Sequence, residues 1–337
     1  MFLSKHKSGY YYIYYDDKLN NKRRSISSKT KLKSEALSFL TNFRKEVIAR
    51  QKAGVKYIKL EQFAREYLFY SSSIHTDKTT QTFKNTFNQL KKYFGSIYLT
   101  QISPTLINDF IKYRITSSSI YAARKDLINL SSAFNKAITD NYLKVNPCNS
   151  IKRIKLPEKQ PKFFSREEYD KLLAVIDDKQ FADMVEISAN TGLRQMELIT
   201  LKWEHVNLDG GMITLNNHGH ITKGKKIRSI PLNKIALGIF ANLIPNKKCE
   251  YVFSTSNEKL KPNYVTKKFK SFVRKAQVNP QLNWHSLRHS FASWLVQAGV
   301  GIYQISKLLG HADIKTTQIY AHVRAEDLRA SINLLNQ

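Results

Sequence analysis

Apolar and polar positions follow three different textures along the chain. Near the start, Tyr10-Tyr11-Tyr12-Ile13-Tyr14-Tyr15 has the aromatic and β-branched content of a strand. Asp16 to Asn21 reads as a turn, and Arg23 to Ser28, which alternates weakly, as a second strand. From Lys33 to Arg50, Leu37, Leu40 and Val47 define the apolar side of a helix. Residues 1–55 are therefore expected to form a small β-sheet backed by one helix.

The periodicity then becomes helical. Leu60 to Tyr70, Thr79 to Tyr93, Pro104 to Tyr113 and Ser119 to Leu143 are the expected helices of a bundle over residues 56–150. The last carries the stripe Ile120, Leu127, Leu130, Phe134 and Ile138, and Asn146-Pro147 is expected to end it. Residues 151–161 are basic and bracketed by Pro157 and Pro161, as in a linker. Residues 162–337 are mixed, with helices around a short β region from Gly211 to Leu232. There a turn at Asp209-Gly210-Gly211 leads into Met212 to Leu215. A hairpin tip with Lys223-Gly224-Lys225-Lys226 then leads into Ile227 to Leu232. Leu328, Ile332 and Leu335 recur at helical spacing in a final helix, Glu326 to Asn336. The expected fold class is mainly α with small β-sheets, in three parts.

Charge changes the picture. The chain of 337 residues has a formal net charge of +29, which calls for a polyanionic partner. Through Lys52, 13 Lys and Arg face four acids. Such a basic sheet suits a major groove, and an aromatic surface sheet with solvated charges is the plainer alternative. A membrane surface is a weaker choice of partner. The longest nearly apolar run, Ile235 to Ile244, is half of what a spanning helix needs, and the N-terminus has no apolar signal core. The two cysteines, Cys148 and Cys249, form no CxxC pair, so a reducing, cytoplasmic setting is expected, without a disulfide framework or thiolate zinc site.

Four clusters in the last region carry chemistry. In Thr191-Gly192-Leu193-Arg194-Gln195-Met196-Glu197-Leu198, Gly192 permits a tight turn that sets Arg194 near a helix start, where a guanidinium can fork onto phosphate oxygens. Lys223 sits in a hairpin turn, from which an amine can reach a DNA groove and deliver a proton. In His285-Ser286-Leu287-Arg288-His289, His285 and Arg288 share a helix face, joining a titratable group to a fixed cation. A zinc pair from His285 and His289 is disfavoured, because Ser286 stands where a zinc protease motif needs Glu. The fourth cluster joins Leu308-Leu309-Gly310-His311 to Thr316-Thr317-Gln318-Ile319-Tyr320. Taken singly, each has an ordinary reading: a surface ion pair, a turn lysine, a helix face, a structural tyrosine.

Together, in this order, the clusters closely resemble the catalytic domain of the tyrosine recombinases, the phage integrase family. The resemblance spans residues 162–337 and rests on the Gly-Leu-Arg-x-x-Glu-Leu, hairpin Lys, His-x-x-Arg and Leu-Gly-His boxes, with the tyrosine nine residues after His311. It implies that Tyr320 attacks the scissile phosphorus and forms a 3′-phosphotyrosine. Arg194 and Arg288 would clamp the phosphate, and Lys223 would protonate the leaving 5′ oxygen. His285 would accept the tyrosine proton or bind the phosphate, and His311 would bind a non-bridging oxygen. Ser286 is not expected to be catalytic, and His289 is expected to be structural.

Two permanently charged guanidiniums and a bond-conserving intermediate imply no metal, no cofactor and no nucleotide, in keeping with the absence of a GxxxxGK[ST] loop. By pattern, residues 1–55 look like the family's arm-type DNA-binding domain and residues 56–150 like its core-binding, SAM-like helical domain. The implied partners are double-stranded DNA at crossover and arm sites, a homotetramer on that DNA, and DNA-bending or directionality accessory proteins. The C-terminal helix would dock on a neighbouring protomer or on its own domain. The function implied is integration or excision of a mobile element. The alternatives are a type IB topoisomerase-like relaxing enzyme, which the basic N-terminal region and apolar tail disfavour, and a catalytically silent DNA-binding protein, which the complete residue set disfavours.

Overall fold

The aromatic run near the N-terminus is the middle strand of a three-stranded antiparallel sheet. The structure, a computed structural model, describes residues 1–17, 22–53, 55–157, 160–215, 227–244, 249–256 and 258–321. Strands β1 (Phe2–Lys5), β2 (Tyr11–Asp17) and β3 (Lys22–Ser27) lie in the order 1-2-3, with Ile13 opposite both Leu3 and Ile26. The sequence pattern does not predict β1, and Asp16 and Asp17 extend β2 rather than opening a turn. Helix α1 (Lys33–Ala53) covers the face carrying Ile13 and Tyr15. Its buried side runs through Ala36, Phe43 and Val47; Leu37, expected on that side, is 47% exposed.

A bundle follows, made of α2 (Leu60–Ile74), α3 (Asp77–Phe94), α4 (Pro104–Ser117) and α5 (Ile120–Thr139). The hydroxyls of Thr76, Ser103 and Ser119 accept from the first turns of α3, α4 and α5, satisfying N–H groups that a helix start leaves unpaired. Phe63, Phe87, Phe110, Leu130 and Phe134 fill the core. Helix α5 stops at Thr139, short of the expected Leu143 and before Asn146-Pro147. Asn141 adopts a left-handed φ of 61°, and the Asn141 and Tyr142 N–H groups donate back to the Ile138 and Ala137 carbonyls, which closes the helix.

The chain forms two compact units, Met1–Pro157 and Glu158–Gln337, with the boundary inside the expected linker. In the second unit, α6 (Arg166–Ala174) starts on a reciprocal Ser165–Glu168 cap. Helices α7 (Lys179–Thr191) and the five-residue α8 (Gln195–Ile199) lead to β4 (Val206–Asn207), β5 (Met212–Leu215) and β6 (Arg228–Pro231), an antiparallel sheet in the order 4-5-6. α9 (Lys234–Leu243), a two-stranded ribbon of β7 (Ser254–Thr255) and β8 (Glu258–Lys259), and α10 (Pro262–Lys275) follow. The last elements among the described residues are α11 (Trp284–Gln297), α12 (Ile302–Leu309) and α13 (Lys315–Gln318). Phe164, Ile187, Leu198, Ile230, Phe269 and Leu287 belong to its main core. A smaller core joins Phe291, Ile305, Leu309 and Tyr320. Lys223 and the expected helix Glu326 to Asn336 lie outside the described residues. No helix among the described residues is long and apolar enough to cross a membrane.

Candidate active site

Two glycines shape the pocket. Gly192 ends α7 with a φ of +64°, and a Cβ there would stand 2.6 Å from the Phe291 ring. Gly310 ends α12 with a φ of +65°, and its Cβ would stand 2.6 Å from the Arg228 side chain. Both positions need left-handed backbone and a missing side chain at once. The turns bring two carbonyls toward α11, and Arg288 is fixed by them. Its Nη1 donates to the Gly192 carbonyl at 2.7 Å and its Nη2 to the Leu309 carbonyl at 2.6 Å. Arg288 is only 2% exposed. Burial, then the charges of Arg194 and Arg228, lower its guanidinium to about 9, so it stays protonated at neutral pH.

Arg194 sits at the N-cap of α8, as the Gly-Leu-Arg turn predicts. Its backbone N–H donates to Glu197 Oε2 at 2.8 Å and its Nη1 to Oε1 at 2.7 Å. Arg228 Nη2 donates to the same Oε2 at 2.9 Å. Burial alone would raise the Glu197 carboxyl. The Arg228 charge, then the Arg194 N–H and guanidinium, outweigh it and hold the group below its ordinary value. Three guanidiniums thus share the pocket with one carboxylate, which two of them, Arg194 and Arg228, bond directly. The surplus positive charge, in a pocket that is partly dry, is the electrostatic form of an anion site.

The imidazoles are held neutral. His311 Nδ1 shares a hydrogen bond with Thr317 Oγ1 at 2.7 Å. Burial, then the arginine charges, lower it to about 4. His289 is lowered to about 4 by burial, then by the charges of His285, Arg288 and His311. His285 reaches solvent. Packing on its inner side, then Arg288 and Arg194, lower it too. Its ring meets His289 edge-on, with centroids 4.7 Å apart.

Tyr320 follows α13, is 2% exposed, and is pushed up to about 12 by burial. Its hydroxyl shares a 2.6 Å hydrogen bond with His289 Nδ1. Of the two imidazoles on α11, the one hydrogen-bonded to the tyrosine hydroxyl is therefore His289. The Ser286 hydroxyl accepts from the Asn283 N–H at the start of α11.

The structure therefore gathers Arg194, Arg288, His285 and His311 around the two glycine turns and ties Tyr320 to His289. The sequence motifs assign no role to Glu197 or Arg228 and leave His289 structural. Each left a signal. Glu197 stands three residues after an N-cap, the spacing of a capping box. Arg228 precedes Ile230 by two, the inward period of a strand. His289 lies one helical turn beyond His285.

Comparison with known proteins agrees with this layout. The model of the phage integrase family matches residues 162–327, and that of the phage integrase SAM-like domain matches residues 59–154. The tyrosine recombinase XerA of Pyrococcus horikoshii is 30% identical over 258 residues, covering 74% of this chain and 87% of that protein. The ICEBs1 integrase of Bacillus subtilis is 25% identical over 323 residues, 86% of each chain. Among solved structures, the lambda integrase dimer bound to a COC′ core site superposes with a TM-score of 0.69 at 17% identity, over 96% of this chain and 95% of that one. The lambda integrase tetramer bound to a Holliday junction gives 0.65 at 20%, over 92% and 95%.

Proposed function

The chain belongs to the phage integrase family of tyrosine recombinases, and on that premise we propose that it integrates or excises a mobile element by cutting and rejoining double-stranded DNA through Tyr320. Arg194 and Arg288 clamp the scissile phosphate, His311 and His285 hydrogen-bond its oxygens, and Lys223 protonates the departing 5′ hydroxyl. The phenolic oxygen forms the bond to phosphorus as the 5′ oxygen leaves, giving a 3′-phosphotyrosine. The phenolic proton passes to a neutral imidazole, and His289 is the one already at the hydroxyl. Religation runs the same steps backwards, so the phosphate bond is conserved and no nucleotide is consumed.

The observation that carries this reading is Arg288. A guanidinium sealed from solvent, held by two carbonyls and set beside two more arginines with one carboxylate among them, is poorly arranged for stability alone. It is well arranged to meet a phosphate. Residues 1–55 supply an arm-type reader. The sheet face opposite α1 carries Phe2, Tyr12 and Tyr14, with the Arg23 guanidinium 5.8 Å from the Phe2 ring centroid. Residues 56–150 grip the crossover site, and the protein acts as a homotetramer in the cytoplasm, as the lambda integrase tetramer on a Holliday junction suggests by analogy.

The test is covalent trapping on a nicked suicide duplex carrying the crossover sequence recovered from recombination junctions. The wild-type chain is expected to give a detergent-resistant adduct. Tyr320→Phe is expected to give none while binding the duplex as before. An adduct from Tyr320→Phe would end the assignment.

A further inference from the structure

Arg228 belongs to none of the four sequence clusters, yet its side chain enters the site from the first residue of β6. Its guanidinium has two holds. Nη2 donates to Glu197 Oε2 at 2.9 Å, and Nη1 donates to the Leu309 carbonyl at 2.6 Å. Each acceptor is shared with one arginine of the clamp: Glu197 with Arg194, and the Leu309 carbonyl with Arg288. The backbone makes room for it, since any Cβ on Gly310 would stand 2.6 Å from Arg228 Cδ and Nη1.

This arrangement is expensive. Desolvation works against the Arg228 charge, a third cation is added against one carboxylate, and Nε is buried with no partner among the described residues. A methionine of similar reach would fill the space without these penalties, and replacing buried ion pairs with apolar residues is often neutral or stabilising. Stability does not account for the residue. Its connections do.

We propose that Arg228 is a positioning residue for strand cleavage: by bridging the anchors of Arg194 and Arg288 it fixes the separation of the two clamp guanidiniums, and it ties to them the strand that begins five residues after Lys223. The inference rests on the reading of this pocket as a phosphodiester-cleaving site. Each hold of Arg228 is on an anchor that a clamp arginine also uses, which places its action on those neighbours and not on the phosphate. Two forks that meet one phosphate tolerate little error, and a displacement of about 1 Å costs on the order of 10²-fold in rate.

The experiment uses the full chain and two suicide duplexes, one with the natural scissile phosphodiester and one with a neutral methylphosphonate in its place. Arg228→Met is expected to form adduct about 10²-fold more slowly than wild type on the diester. On the methylphosphonate, which carries no charge for the clamp to neutralise, it is expected to come within about tenfold of wild type. Equal slowing on both duplexes would mean general damage to the fold and would overturn the proposal, as would a wild-type rate on the diester. Arg228→Lys carries the test if the methionine variant does not fold. It keeps a charge near Glu197 but lacks the second hold, so it too is expected to slow selectively on the diester, and wild-type behaviour would refute the need for a bridge. If the wild-type chain gives no adduct on the diester, the reading of Tyr320 fails first and the role of Arg228 falls with it.

Discussion

Acid is expected to weaken the Glu158–Gln337 unit through its buried imidazoles. His289 and His311 are each lowered to about 4, against about 6.5 for an unfolded histidine. Between those values the unfolded chain binds a proton that the folded unit refuses, so stability falls as pH falls. For one such imidazole the loss from about pH 7 to about pH 5 comes to about 2 kcal/mol. Neither ring is sealed from solvent, and screening brings this to about 1 kcal/mol each. His285, also lowered, adds in the same direction. Glu186, raised by burial and by Asp183, works in the opposite sense, in wild type and variants alike. Glu197, held low, titrates beneath this window. The perturbation is His289→Gln, which removes one imidazole and keeps a neutral hydrogen-bonding group beside Tyr320. The assay is urea unfolding by tryptophan fluorescence at both pH values. All three tryptophans, Trp203, Trp284 and Trp294, lie in this unit, so its transition is read without the other. The variant is expected to lose about 1 kcal/mol less than wild type on acidification, a shift of roughly half a molar in urea midpoint. If both proteins lose the same amount, His289 is not a neutral buried base in the folded unit and the reasoning is wrong.

Two further outcomes follow. Lys223→Ala should slow cleavage severely, and a 5′-bridging phosphorothiolate should restore it, because sulfur leaves without a proton; rescue of Arg194→Ala instead would reverse the assigned roles. A chain starting at Val55 should keep cleavage at the crossover site but lose recombination that depends on flanking sites, and should bind DNA with a shallower dependence on salt. Identical footprints from full-length and shortened chains would remove the arm-binding reading of residues 1–55.

The order of the clusters carried the family and most of the pocket, because Arg194, Arg288, His311 and Tyr320 lie in motifs whose spacing is visible in one dimension. What stayed hidden was set by the third. The supports of Arg288 are main-chain carbonyls, which leave no side-chain signature in the sequence. Arg228 reaches Glu197 across 31 residues of chain, so no local pattern pairs them. His285 and His289 share a helix face, and only the packing of α13 decides which of them meets Tyr320. In the first unit, β1 was too short to stand out as a strand. The stripe through Leu37 misjudged the buried side of α1, because Phe43 and Tyr15 meet edge to face, 5.0 Å between centroids, and turn the helix onto Ala36.

The hold on Arg288 also bears on how such a pocket survives divergence. Side-chain acceptors can be lost by a single codon change, whereas carbonyls cannot. An apolar substitution at Leu309 alters the packing of its side chain but leaves in place the carbonyl that makes the bond. The two left-handed glycines are held more tightly, each barred to a side chain twice, by dihedral angle and by the atom that fills the Cβ space. Changes in side chains thus fall on the packing around the guanidinium before they reach its hold. A change of side chain behind the guanidinium leaves it the same two oxygens so long as the two turns keep their path.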